Sequence, residues 1–513
     1  MRRPAAALVV ALLGAVAVLP ATADAAARLV VKGHGFGHGI GLSQYGALGY
    51  AQHGFGWRDI LSKYYQQTSV APLGSAPDVR VLLQTGRRVQ VRGAVSVGGR
   101  KTSPAQTYTA RIAAVAGRVA LYAPSGRLLG TYAPPLRFTA VASNPLRLLG
   151  AAQNGTRNGR YRGALEVGLV EGDGARLQAV NDVGLEDYIR GVVSAESPAS
   201  WPADALEAQA VVARSYAVTT NVGTTTDGID QYSDTRSQMY TGIAAEFPST
   251  DAAVAATAGQ VVVDDGKPVT TFFFSTSGGH TENIEFSFLG AQPQPWLKGV
   301  DDPFDGISPK HTWGPITFTA AQAASRLKGL VRGSFRGITV LQRGTSPRIV
   351  RAEVAGTGGV MPVSGPELRR RFGLDDTWAT FTYISSSARK QTANDDASAT
   401  PPADHAGGTA DATTGGATAD SPTTPSAPTP AVATTGGQAA AARTPERVLA
   451  GTVNRDGSAS AAHLRLQVAR DGSWRTLRPV ATAADGRYRV AVPGPGRYRV
   501  AWGDSAGPAV DVR

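Results

Sequence analysis

The stretch Val192–Tyr216, VVSAESPASWPADALEAQAVVARSY, decides how the rest of the chain is read. Over Ala203–Thr220, Leu206, Ala210, Ala213 and Ala217 recur at helical spacing, with Ser200 and Pro202 at the start. Asp204 and Glu207 occupy the first turn, where the helix dipole favours acids. Just upstream, Leu185–Val193 reads as a shorter helix. Glu196 falls between the two, among apolar sequence neighbours Val192, Val193, Ala195, Pro198 and Trp201. A carboxyl group in apolar surroundings has a raised pKa, which suits a general acid at neutral pH. A helix cap or a surface charge fits the same position, so this segment alone leaves both readings open.

Working outward, residues 78–180 are strand-like. VRVLLQ, RVQVRG, GRVALYA and ALEVGL alternate apolar and polar residues between Gly, Asn and Ser clusters. Downstream, Asp251–Ala258 reads as a helix capped by Thr250 or Asp251 and stopped by Gly259. A hairpin follows, QVVV and VTTFFFST about a turn at Asp265-Gly266. Near the start, the Gly- and His-rich run 28–74 ends in a helix over Trp57–Tyr65, and MPVSGPELRRRFGL lies within 360–384. The expected class is α+β: a mixed unit over 28–385 whose portion 75–180 is β-rich.

The chain has 513 residues, a net charge of +12 and no Cys, which excludes disulfides, thiol nucleophiles and thiolate metal sites. Arg2 and Arg3, the apolar run Ala5–Val18 and the small-residue zone Ala21–Ala27 form a secretory signal pattern over 1–27, with cleavage after Ala23, Ala25 or Ala27. The expected location is therefore outside the cytoplasm, secreted or in the cell wall. Residues 386–444, rich in Ala, Thr, Pro and Gly, read as a disordered linker. Strand patterning returns in 445–513 (LRLQVA, WRTLRPV, RYRVAV, RYRVAW) and suggests a small β-sandwich. Residues 447–513 hold 11 Arg, no Lys and 5 Asp, half of the total net charge. Such a face suits an anionic wall polymer such as teichoic acid, or lipid head groups. The alternative is a set of solvated edge-strand arginines. No nucleic-acid partner is expected.

Several motifs together resemble the SpoIID/LytB family of bacterial cell-wall proteins. Glu196–Pro202 matches an E-x-P-x-S-W-P run, and Ala205–Tyr216 matches the helix that follows it. YRGALEV from Tyr161, AVNDVGLEDYIRGVV from Ala179, SQMYTG from Ser237, TDAAVAATAGQVV from Thr250, STSGGHTEN from Ser275 and GHGIGLSQYGA from Gly37 match as well. The resemblance covers most of residues 33–384. It implies a peptidoglycan lytic transglycosylase that cuts glycan strands between N-acetylmuramic acid and N-acetylglucosamine, with Glu196 as acid and then base. The substrate's own C6 hydroxyl serves as nucleophile, so one carboxyl suffices where hydrolytic glycosidases use two. The product carries a 1,6-anhydro ring. LytB-like members imply an alternative, a non-catalytic wall-binding protein or an enhancer of a cell-wall amidase.

Arg214 and Gln209 on the matching helix are expected to bind substrate, as are His38, Ser43, Gln44 and Tyr45 of the Gly-rich run and Ser277 and His280 of the SGGH turn. For Arg214, a buried ion pair with Asp187 or Glu207 is the competing reading. Three departures from the family pattern stand out. Glu207 replaces the usual Lys. Ser233 and Ser237 stand where some relatives have zinc-binding Cys, so neither a metal nor another cofactor is expected. Last, the GHG…SQYGA run usually closes the domain but here opens it, a circular permutation that predicts residues 33–47 beside Glu196.

Overall fold

A computed structural model describes residues 26–223, 228–390, 447–459 and 462–513. The signal-pattern expectation for 1–27 and the linker expectation for 386–444 lie almost wholly outside these residues. The chain divides into two compact units, one of Leu29–Thr382 with Arg455–Ser458, the other of Tyr383–Asn454, Ala459–Arg513 and the residues up to Arg28. Among the described residues, no helix is long and apolar enough to cross a membrane.

In the larger unit, a seven-stranded sheet is built around the long strand Asp173–Gly184. That strand pairs antiparallel with Asp78–Gly86 on one side and Ala164–Val170 on the other. A six-stranded sheet containing Arg88–Arg92 and Thr107–Ile112 completes the β-rich portion. Alternation along Val79, Val81 and Leu83, and along Val89 and Val91, puts one face of each strand in a common core.

Five helices position the site: α1 (Gln44–Gln52), α2 (Trp57–Tyr64), α3 (Leu185–Glu196), α4 (Ala203–Thr219) and α5 (Pro248–Ala256). The strand Asp173–Gly184 runs straight into α3, whose Leu185, Tyr188, Ile189, Val192 and Val193 join the core of the β-rich portion. Leu206, Ala210 and Ala213 of α4 enter the same core. Ala208, Val211 and Val212 enter a second core, with Ala47 and Tyr50 of α1 and Ile60, Leu61 and Tyr64 of α2. Thus α4 is apolar on nearly every side because it separates two cores, as an all-round apolar helix must be buried. Its small Ala residues let neighbours approach on both faces.

Two expected elements shift. Helix α5 begins at Pro248, earlier than the expected Asp251, because Pro fits a first helical turn and Thr250 Oγ1 accepts the Phe247 N–H at 3.2 Å. The hairpin turns at Asp265 and Gly266, both at positive φ, but its return strand is only Lys267–Pro268. Beyond it, Phe273–Phe274 leaves the hairpin to pair parallel with Leu42–Ser43.

In the smaller unit, Arg447–Arg455 pairs with Arg487–Ala491, while Leu464–Arg470 lies between Ser473–Val480 and Gly496–Trp502. Leu449, Leu464, Leu466, Val490, Tyr498 and Val500 fill the core shared by these strands.

Candidate active site

Glu196 is the last residue of α3 and is half-buried. Its Oε1 accepts the backbone N–H of Met239 at 2.7 Å, and its Oε2 accepts Gln44 Nε2 at 3.3 Å. The same amide nitrogen lies 3.3 Å from the Glu196 carbonyl oxygen and 3.4 Å from Gln209 Oε1. Three segments far apart in sequence therefore meet at one carboxyl group. Both donors are neutral, and Glu196 forms no ion pair among the described residues. Burial raises its pKa, and the two hydrogen bonds pull it only part of the way back.

The Gly-rich run supplies Gln44. Ser43 caps α1 by accepting the Gly46 N–H, which places Gln44 as the first helical residue beside Glu196. Of the run 33–47, Gln44 touches Glu196, and its neighbours are held by the pairing of Leu42–Ser43 with Phe273–Phe274 and by the Tyr45 N–H to Ser275 carbonyl bond at 3.0 Å. The Tyr45 ring meets Trp201 edge-on, with centroids 5.3 Å apart. These aromatic rings flank Gln44 and Glu196 in sequence and suit stacking on sugar faces. Two buried polar atoms here, Gln209 Nε2 and Ser197 Oγ, have no hydrogen-bond partner, a deficit that clusters at functional sites.

Other expected site residues are placed differently. Arg214 is fully buried, and its Nε and Nη2 both lie 2.8 Å from the carboxylate of Glu186. Nη1 donates to the Gln260 carbonyl at 3.0 Å. Every face of the guanidinium is spent inside the protein, so Arg214 binds no glycan; it joins α4 to α3. Its partner is Glu186, neither Asp187 nor Glu207. Ser43 and Ser277 are also fully buried. Ser43 Oγ donates to Asp305 at 3.1 Å, and Ser277 Oγ accepts the Gly279 N–H at 3.0 Å. Both brace the loops around α1 and neither reaches substrate. His38 donates from Nε2 to the Phe273 carbonyl at 3.0 Å and accepts the Ile40 N–H at Nδ1. Burial lowers its pKa to about 3, so it is a neutral structural pin. His280 is half-buried with Nδ1 against the Thr281 carbonyl, bonded within its own turn rather than to the Glu196 group. Of the expected set, Gln44 and Gln209 gather at Glu196, with Tyr45 adjoining.

Zinc does not fit where some relatives hold it. Ser233 and Ser237 are hydroxyls rather than thiolates, and Ser237 Oγ already accepts the Tyr232 N–H at 2.9 Å. Among the described residues, no group of three or more His, Asp or Glu is arranged to hold a metal ion.

Residues 173–263, which carry Glu196, Gln209 and the Met239 donor, match the SpoIID family, described as Stage II sporulation protein. The chain carries a SpoIID-family segment over these residues. Stage II sporulation protein D of Bacillus subtilis (strain 168) is 30% identical over 213 residues, 39% of this chain and 60% of the relative. The protein of the same name from Bacillus amyloliquefaciens is 28% identical over 211 residues, 38% of this chain and 59% of the relative. The chain thus spans about three-fifths of these curated relatives' length. An amidase enhancer of Bacillus subtilis (strain 168) is 37% identical over 94 residues, 18% of this chain and 12% of that protein. The family match begins at residue 173, so the Gly-rich run that supplies Gln44 lies outside it.

Two contributors to the arrangement around α3 carry little signal in the sequence. Met239 acts through its backbone N–H, which side-chain chemistry cannot announce, although SQMYTG marked the segment. Glu186 looks like either of the two first-turn acids of α3; only the crossing of α3 and α4 singles it out.

Proposed function

We propose that this chain is a peptidoglycan lytic transglycosylase acting at the cell wall, with Glu196 as its acid and base. The observation that carries the reading is a half-buried carboxyl with a raised pKa, held by two neutral donors and free of ion pairs among the described residues. Such a group keeps its proton towards neutral pH and delivers it to the glycosidic oxygen. As the bond to the N-acetylmuramic acid C1 breaks, the new carboxylate is stabilised by the Met239 N–H and the Gln44 amide. The sugar's C6 hydroxyl then adds to C1 and returns its proton to Glu196, closing a 1,6-anhydro ring. Tyr45 and Trp201 offer stacking faces for adjoining sugars. The N-terminal signal pattern supports a site of action outside the cytoplasm, and the Stage II sporulation protein D relatives support a role in sporulation or wall remodelling.

The test uses glycan strands stripped of peptides, with anhydromuramyl ends counted by mass spectrometry. Glu196→Gln is expected to lower product formation about 10²–10⁴-fold. No anhydro product from the unaltered chain, or undiminished product from the variant, refutes the proposal.

The similarity to an amidase enhancer supports a second reading, a non-catalytic chain that binds wall and stimulates an amidase. Under it, a cell-wall amidase works faster in the presence of the chain and Glu196→Gln makes no difference.

A further inference from the structure

The smaller unit concentrates positive charge without matching acids at one place. A recess of about 370 Å³ is lined by Arg28, Trp474, Arg497, Arg499, Gly507 and Ala509. All six belong to that unit. Arg499 lies over the Trp474 ring, 4.2 Å from its centroid, and its Nε donates to Gln467 Oε1 at 2.7 Å. Ring and amide fix the guanidinium plane, and its two terminal nitrogens have no hydrogen-bond partner among the described residues. Burial, and then the charge of Arg28, lower the pKa of Arg499, so the folded unit bears a cost for holding these cations together. The acid paired with a lining arginine, Asp511, lies 3.8 Å from Arg497, with side chains 72% and 61% exposed. A solvated pair at that distance contributes little compensation. Elsewhere in the unit, Arg475 and Arg487 have acids of their own on neighbouring turns, Asp471 and Asp485.

We infer that this recess is a binding site for a phosphate-bearing ligand, with Arg28, Arg497 and Arg499 as its donors. Guanidinium forks match tetrahedral phosphate oxygens, and several can engage one group from different directions. A single carboxylate would leave much of the local charge unbalanced. Gly507 and Ala509, which carry no long side chain, complete the lining. Two sources share this chemistry, a soluble phosphodiester polymer and a phospholipid head group.

The full chain is tested in two arms. One measures affinity for poly(glycerol phosphate) chains, the other for vesicles of phosphatidylglycerol in phosphatidylcholine. Arg28→Gln/Arg499→Gln is expected to weaken binding about tenfold or more, the loss expected for charge-assisted hydrogen bonds. Arg475→Gln/Arg487→Gln removes the same charge from surface pairs and is expected to weaken it far less. Because Arg28 and Arg499 repel, the first double variant should melt no lower than the unaltered chain without ligand. Loss confined to that variant in the soluble arm identifies the polymer as the source; loss confined to it in the vesicle arm alone identifies the lipid. Equal weakening by both double variants, a first variant that melts markedly lower, or no binding in either arm overturns the inference.

Discussion

Replacing Gly46 by Ala should destabilise the protein even though Ala is the better helix former. Gly46 and Gly49 lie one turn apart on α1. A Cβ on Gly46 would sit 2.1 Å from Tyr64 Oη and 2.2 and 2.5 Å from the two carboxylate oxygens of Asp302. A Cβ on Gly49 would sit 2.5 Å from the Phe304 carbonyl oxygen. These neighbours cannot swing aside, because Tyr64 and Asp302 are each 1% exposed and joined by a 2.9 Å hydrogen bond. Helix propensity favours Ala over Gly by about 1 kcal/mol. Against it stand about 1–3 kcal/mol for overpacking and about 1.5–3 kcal/mol for losing a hydrogen bond to a charged group. The net expectation is a loss of roughly 1.5–5 kcal/mol, a large part of a stability that is typically about 5–15 kcal/mol. Urea unfolding of the full chain, followed through the transition of the larger unit, measures it. The folded fraction should also lose activity, since relief of the clash moves α1 and draws Gln44 off Glu196. A Gly46→Ala protein as stable as the unaltered one would mean that the close approach of α1 to Asp302 is wrong.

Asp302 offers a pH test. Burial raises its pKa to about 6, against about 3.9 in an unfolded chain. The folded state therefore binds this proton more tightly; the stabilisation is complete below about pH 4 and lost as pH rises through about 6. Relative to the unaltered chain, Asp302→Asn should gain about 3 kcal/mol between those limits, from a difference of about two pKa units; urea midpoints that keep a constant gap contradict this. Arg214→Met should cost about 3 kcal/mol by stranding Glu186, at the lower end for a broken buried pair because Glu186 keeps some solvent. Its KM for glycan per folded molecule should not change, and a raised KM at full stability would restore Arg214 to the substrate. Gln44→Leu removes a donor to the Glu196 carboxylate, so the pKa of Glu196 should rise further. The alkaline limb of the activity profile should then move up, and a limb that stays or moves down counts against the acid role.

Helices α3 and α4 were legible because Leu206, Ala210 and Ala213 face one core at regular spacing and Pro202 marks the boundary. The same periodicity concealed that α4 has a second buried face, since Ala satisfies either environment. Tertiary pairing overrode local pattern in VTTFFFST. Thr271 Oγ1 donates to the Val212 carbonyl at 2.8 Å, and the Phe272 carbonyl accepts the Leu42 N–H at 3.1 Å, which draws the segment out of its hairpin. At the site, Glu196 and Gln44 were visible as side chains with suitable chemistry. Arg214, Ser43 and Ser277 carried equally suitable chemistry, and only the partners they find in the fold separate bracing from a place at Glu196. Motif membership identifies a residue that the fold needs, without saying whether it faces ligand or core.

The early place of the Gly-rich run in the chain has a mechanical consequence. Gln44 stands 152 positions before its partner Glu196, and His38 stands 235 before Phe273. The joint between the early segment and the strands is the exposed stretch Gly74–Pro77. A single protease cut there would leave both pieces folded against each other, through Ser69–Pro72 on Gln260–Val263 and Leu42–Ser43 on Phe273–Phe274. The chain connection at that point serves as a tether that keeps the effective concentration of Gln44 high. A nicked molecule would keep its carboxyl poised until dilution let the two pieces part.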